Sequence, residues 1–207
     1  MEIDYQALED LWDAQLRDPA FSGLSKKYVP GEGDNPTAII IGEAPGAQED
    51  MQGRPFVGPA GQVLRQLMDL AWLATSYEVR GTADNPNEYG PNCWLTNTIK
   101  FRPPGNRKPT LDEIAAARQY LVREWQAIGK PRVVVLVGAV ALHAITGKEQ
   151  SILRAAGKMY TAISKTDGQP LFVWPMVHPS FALRNPGVQP VVEQDWERLG
   201  AWLAENS

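Results

Sequence analysis

The chain has 207 residues, 43% hydrophobic and 21% charged, with 18 Gly and 17 Pro, a composition that fits one globular domain and excludes a disordered or fibrous polymer. With 20 Lys and Arg against 24 Asp and Glu, the net charge of -4 speaks against a nonspecific nucleic-acid coat protein. Its one cysteine, Cys93, excludes an intrachain disulfide, an all-cysteine zinc site and any iron–sulfur cluster needing several thiolates from this chain.

Taken in chain order, Met1–Asp18 is acidic, and Leu8, Leu11, Trp12 and Leu16 predict a helix over Tyr5–Leu16. Met1–Tyr5 carries Glu2 and Asp4 where a signal peptide would be basic. The longest apolar windows, Thr37–Ile41 and Val133–Val137, fall far short of the ~20 residues of a membrane span, so a cytoplasmic protein without a membrane partner is expected. Thr37–Gly42 reads as a β-branched strand, and Gly61–Ala74 as a helix through Val63, Leu64, Leu67, Met68 and Ala71. Cys93–Thr98 reads as a second strand. Leu111–Ile128 reads as a helix opened by Thr110, with Glu113 at the spacing of a capping box. Arg132–Val137 is a run of Val and Leu that suggests burial on both faces, followed by a helix over Gly138–Ile145. Leu171–Val177 is the last strand and Val191–Glu205 the last helix.

Alternating strands and helices predict the α/β class, as a three-layer αβα sandwich around a central, mainly parallel four-stranded sheet, with residues 1–207 forming a single domain. In such a sheet, ligands bind beyond the carboxyl ends of the strands. Chemistry-bearing residues concentrate there: Gly42–Gly61 after the first strand, Asn97–Arg107 after the second, and His178–Asn185 after the last. Lys100–Arg132 is also the most basic stretch. None of these loops matches a phosphate-binding loop or the spaced-glycine dinucleotide fingerprint. The two histidines, His143 and His178, lie in different segments, so no metal site is expected, and His143 reads as structural within an apolar helix.

Together the three loops resemble the family 4 uracil-DNA glycosylases. The resemblance runs from about Thr37 to Asn185. Its motifs are Gly42-Glu43-Ala44-Pro45-Gly46 with Glu49-Asp50 and Pro55-Phe56-Val57-Gly58, then Asn97-x-x-Lys100-x-Arg102-Pro103-Pro104, then His178-Pro179-Ser180-Phe181-x-Leu183-Arg184. The resemblance implies removal of uracil from DNA without a cofactor, by a monomer whose partner is uracil-containing DNA. Typical relatives hold a four-iron cluster with cysteines that this chain lacks. One of those cysteines corresponds to Phe101, and the helix Leu111–Ile128 and the segment Met1–Tyr28 contain none. Phe101 is expected to replace the cluster by apolar packing, and the purified protein to be colourless.

Under this resemblance each site residue takes a role. Uracil must leave the base stack to be cut, so its face and edge need partners. Phe56 is the stacking platform, and Gly42 and Gly46 border the base. Asn97 offers the donor and acceptor that match O4 and N3–H of uracil and mismatch cytosine. His178 is the donor aimed at the charge gathering on the leaving base. Glu43 either positions water or stabilises the oxocarbenium-like sugar. Glu49 is the long polar side chain that narrows the pocket against thymine. Gly58, Gly61 and Ser180 are expected at phosphates, with Lys100, Arg102 and Arg107 supplying charge. Leu183 is either a wedge filling the gap of the flipped nucleotide or a helix-packing residue, with Arg184 beside it. The chain between Arg102 and Thr110 has no insertion and no histidine, so turnover is expected rather than a covalent adduct. The alternatives are a non-catalytic base-sensing protein on this fold and a glycosylase for 5-substituted uracils.

Overall fold

The computed structural model describes residues 3–33, 38–71, 73, 93–129, 131–163 and 170–206. Helix α1, Tyr5–Arg17, starts where Asp4 accepts from the Ala7 N–H, and it buries Leu8 and Leu11. Strand β1, Ala38–Gly42, leads into the short α2, Ala47–Gln52, and then α3, Pro59–Leu70, which Pro59 opens at a position that needs no N–H. Strand β2 is Cys93–Asn97. Helix α4, Leu111–Ile128, starts with the expected capping box of Thr110 and Glu113. Strand β3, Val133–Val137, α5, Ala139–Thr146, and the single turn α6, Ile152–Ala155, come next. The chain finishes with β4, Tyr160–Ile163, β5, Pro170–Met176, α7, Pro179–Arg184, and α8, Gln189–Glu205. Thr37 and Ala74, expected at the ends of a strand and a helix, lie outside the described residues.

Among the described residues the sheet has five strands, not four, in the order β2-β1-β3-β5-β4. The additional strand, β4, pairs antiparallel with β5 at the edge, and the other pairings are parallel. All four β4 residues are exposed, so it carries none of the apolar signal that marks the buried strands. Strands β1, β2 and β3 are buried at every position, and alternate residues sort to opposite faces. Ala38, Ile40, Val133 and Val135 pack with Leu64, Met68, Trp196 and Leu199 of α3 and α8. Ile39, Ile41, Val134 and Leu136 pack with residues of α1, α4 and α5, among them Leu8, Leu121 and Val140. The helices on these two faces are the outer layers of the expected sandwich.

The chain passes from β1 to β2 on one side of β1 and from β2 back to β3 on the other, so the loops part at the carboxyl end of β1. Gly42 and Asn97 end β1 and β2 in register, and Met176 ends β5 opposite Val137. No helix among the described residues is long and apolar enough to cross a membrane.

Candidate active site

A cleft of about 510 Å³ opens at these strand ends. Of the residues expected to act, Glu43, Gly46, Glu49, Phe56, Gly58, Gly61, Asn97, Arg107, His178, Ser180 and Arg184 line it. Gly42 lies just behind the lining. A Cβ there would come within 2.5 Å of Phe56 Cζ and 2.6 Å of Asn97 Oδ1, so only glycine lets the ring and the amide converge. Phe56 is 7% exposed and sits at a φ of 54°, in the left-handed region, where a residue with a Cβ is strained by about 1–3 kcal/mol.

Past the ends of β1 and β2 the hydrogen bonding continues. The Thr98 N–H and hydroxyl both donate to the Gly42 carbonyl, at 2.9 and 2.8 Å, and the Ile99 N–H donates to the Glu43 carbonyl at 3.0 Å. This extension fixes Glu43 beside Asn97. Burial pushes the Glu43 carboxyl above its ordinary pKa, against a smaller opposing effect of the Lys108 charge. Glu49 accepts from the Gly46 N–H at 3.1 Å and from the Gly58 N–H at 2.7 Å, tying the starts of α2 and α3 together. The Gly58 N–H expected at a phosphate is therefore already bonded.

Lys100 corrects the sequence expectation. It is 1% exposed, and its ammonium donates to Glu124 Oε2 at 2.6 Å, to the Asn97 carbonyl at 2.8 Å and to the Thr96 hydroxyl. Glu124 Oε1 accepts from Trp94 Nε1 at 3.0 Å and from the Thr96 hydroxyl at 2.9 Å. Burial lowers the Lys100 pKa and Glu124 pulls it back up. Lys100 therefore braces the backbone of Asn97 from below, with its ammonium buried rather than exposed in the cleft. Arg102 Nε donates to the neutral Asn106 Oδ1 at 2.7 Å and keeps its charge, whereas Arg107 forks onto the Glu113 carboxylate at 2.6 and 2.9 Å.

His178 caps α7. Its Nδ1 accepts from the Ser180 N–H at 3.2 Å and lies 2.8 Å from the Ser180 hydroxyl, while Pro179 sets the first helical φ. An Nδ1 that accepts leaves the ring proton on Nε2. Burial, reinforced by the Arg184 charge, lowers the His178 pKa to about 4, so the ring is neutral near pH 7. The Ser180 hydroxyl, expected at a phosphate, is thus engaged with His178. Leu183 is 50% exposed at the end of α7, so packing does not consume it. His143, in α5, does not line the cleft.

A family model described as the Uracil DNA glycosylase superfamily matches residues 30–202. The chain belongs to the uracil-DNA glycosylase superfamily. It is 36% identical over 179 residues to the type-4 uracil-DNA glycosylase of Saccharolobus solfataricus, covering 84% of this chain and 75% of that one. It is 34% identical over 178 residues to the corresponding protein of Archaeoglobus fulgidus, covering 84% and 80%. A third relative, from Thermotoga maritima, is 34% identical over 179 residues, covering 84% and 82%.

Within this superfamily the chain's residues do not fit an iron–sulfur cluster. Phe101 is 2% exposed and packs against Phe21 and Tyr28 with ring centroids 5.5 and 5.4 Å apart, in a cluster that also holds Leu11, Ile99 and Tyr120 and touches Ala44. That aromatic packing matches the expectation for Phe101. Cys93 lies in β2, on the face of the sheet packed against α3 and α8. The sequence reading overlooked Glu124, Glu32 and Arg65. The partner of Lys100 lies 24 positions along the chain, and no local pattern announces such a pair. For Arg65 a signal existed in a glycine, Gly61, one helical turn before a long cation.

Proposed function

We propose that this glycosylase hydrolyses the N-glycosidic bond of deoxyuridine in DNA, releasing uracil and leaving an abasic site. It works as a single-domain cytoplasmic monomer whose partner is uracil-containing DNA. The observation that carries this reading is the convergence of Phe56, Asn97, Glu43 and His178 on one cleft. Phe56 covers the face of the extruded base, and the Asn97 amide pairs with its O4 and N3–H. Lys100, donating to the Asn97 backbone carbonyl, holds the main chain that carries that amide.

The bond between C1′ and N1 breaks with its electron pair going to the base, so negative charge collects on O2 and N1. His178 presents Nε2–H to O2. With a pKa near 4 the ring is neutral and has no second proton to give, so uracil departs as an anion stabilised by the Nε2–H hydrogen bond. Water adds to C1′ from the opposite face, and its proton passes to Glu43, where burial makes the carboxylate a stronger base than a free one. The start of α3 and Arg102 and Arg107 hold the strand, and Leu183 with Arg184 fills the gap left by the base.

The test is incubation with an oligonucleotide carrying one uracil, followed by alkali. Strand scission with many turnovers and no denaturation-resistant protein–DNA adduct is expected. Absence of scission at high enzyme excess would remove this reading.

A further inference from the structure

We infer that Arg65 positions the base-stacking ring by holding the strained backbone of Phe56, an assignment that rests on Phe56 being the stacking platform. The Arg65 guanidinium donates through Nη2 to the Pro55 carbonyl and through Nε to the Phe56 carbonyl, both at 3.2 Å. The first carbonyl belongs to the peptide plane before Phe56 and the second to the plane after it. A rigid, planar fork on both therefore fixes φ and ψ of Phe56 together. That is the residue whose φ of 54° a phenylalanine does not adopt unaided.

The neighbours show that the arrangement is built. Gly61 lies against the Phe56 carbonyl, where a Cβ would overlap it, so α3 can approach. Helical side chains tilt toward the N-terminus, which carries Arg65 back one turn over Gly61. Glu32 Oε1 accepts from Arg65 Nη2 at 2.6 Å, and both side chains are mostly buried, 15% and 18% exposed. Glu32 is itself bridged to Leu95 of β2 by two backbone hydrogen bonds of 2.9 and 2.7 Å. The platform is thus anchored to the strand that ends in Asn97, so the residues reading the face and the edge of the base share one support. Arg65 does not line the cleft and acts through Phe56.

The experiment is a double-mutant cycle on the full chain, using a single-uracil oligonucleotide and free uracil as an inhibitor. The variants are Phe56→Leu, Arg65→Met, their combination, and Arg65→Lys, which keeps the charge facing Glu32 but cannot fork onto two carbonyls. Arg65→Met is expected to lower the maximal single-turnover rate by about tenfold to a hundredfold and to weaken free-uracil inhibition. The enzyme concentration giving half-maximal rate should stay unchanged. In the Phe56→Leu background the same substitution should have no further effect, and Arg65→Lys should not restore the rate. If Arg65→Met melts the protein, Glu32→Gln, which loosens the fork without removing it, should give a smaller loss with the same dependence on Phe56. Equal losses in both backgrounds, full rescue by Arg65→Lys, or no loss at all would overturn the proposal. Wild-type excision by Phe56→Leu would instead overturn the stacking role on which it rests.

Discussion

The two walls of the cleft are held in different ways. On one side, the residues after β1 and β2 depend on partners distant in sequence: Lys100 on Glu124, Arg65 on Glu32, and Thr98 and Ile99 on the backbone of Gly42 and Glu43. On the other, His178 depends on its next neighbours Pro179 and Ser180, at the start of a helix of six residues. Reading a base needs an amide and a ring fixed in direction, which long-range ties provide. Stabilising a leaving group needs a defined proton on one nitrogen, and a three-residue cap is enough to set that.

The largest effect should come from breaking the long-range side. Lys100→Met leaves Glu124 buried without its cation, at a cost of about 3–5 kcal/mol in stability. Chemical denaturation should show that loss, and pairing the change with Glu124→Leu should restore only part of it, because the counter-charge is no longer needed while Trp94 Nε1 and the Thr96 hydroxyl lose their acceptor. Excision should remain low in the double variant even as stability recovers in part, since the Asn97 carbonyl then lacks its donor. Full recovery of activity would mean that the network supports the fold alone.

Breaking the local side should act on rate. His178→Leu is expected to lower single-turnover uracil excision by about 10²–10³-fold, the loss typical of one donor to a developing anion, with little change in binding of uracil-containing DNA. A loss of binding in step with rate would place His178 in ground-state recognition.

The neutral, half-buried His178 also predicts a pH effect on stability. An unfolded histidine takes up a proton below about 6.5, and the folded one only near 4. Between these values the unfolded chain binds more protons, so stability falls as pH drops, by up to about 3 kcal/mol. The measurement is the difference between wild type and His178→Leu across this window, because the raised pKa of Glu43 gives a slope of opposite sign. A wild-type slope that survives in the variant would assign the effect to other groups.

The contrast between the walls also explains what the sequence made legible. Thr110 and Glu113 mark the start of α4, and His178-Pro179-Ser180 marks its own turn, because the partners are local. The apolar runs of β1 and β3 mark buried strands. Strand β4 escaped because its pairing with β5 is tertiary and its side chains are exposed, and α2, α6 and α7 are too short for helical periodicity to register. Lys100 reads from sequence as a charge for DNA because lysines are rarely buried, and only the fold brings Glu124 beneath it.

The smallest predicted effect concerns Glu49, where the two kinds of support meet, since it accepts one hydrogen bond within its own loop and one from nine residues away. Thymine differs from uracil by a methyl at C5, and Gly46 provides no side chain to exclude it. A loosely fitting methyl changes discrimination by only about 1–3 kcal/mol, so exclusion needs a wall that does not yield. Two backbone donors fix the Glu49 carboxylate, and its Oε2 lies 2.8 Å from where a Gly46 Cβ would stand. Glu49→Ala should therefore lower the ratio of uracil to thymine excision by a factor between about 10 and 200, and slow uracil excision as well by untying Gly58 from Gly46. Glu49→Gln separates the two effects, because it keeps the bulk but accepts only one of the two bonds, so selectivity should survive while the rate falls. Single-turnover rates on matched uracil and thymine oligonucleotides measure both. Selectivity unchanged in Glu49→Ala would place the barrier to thymine in another part of the cleft.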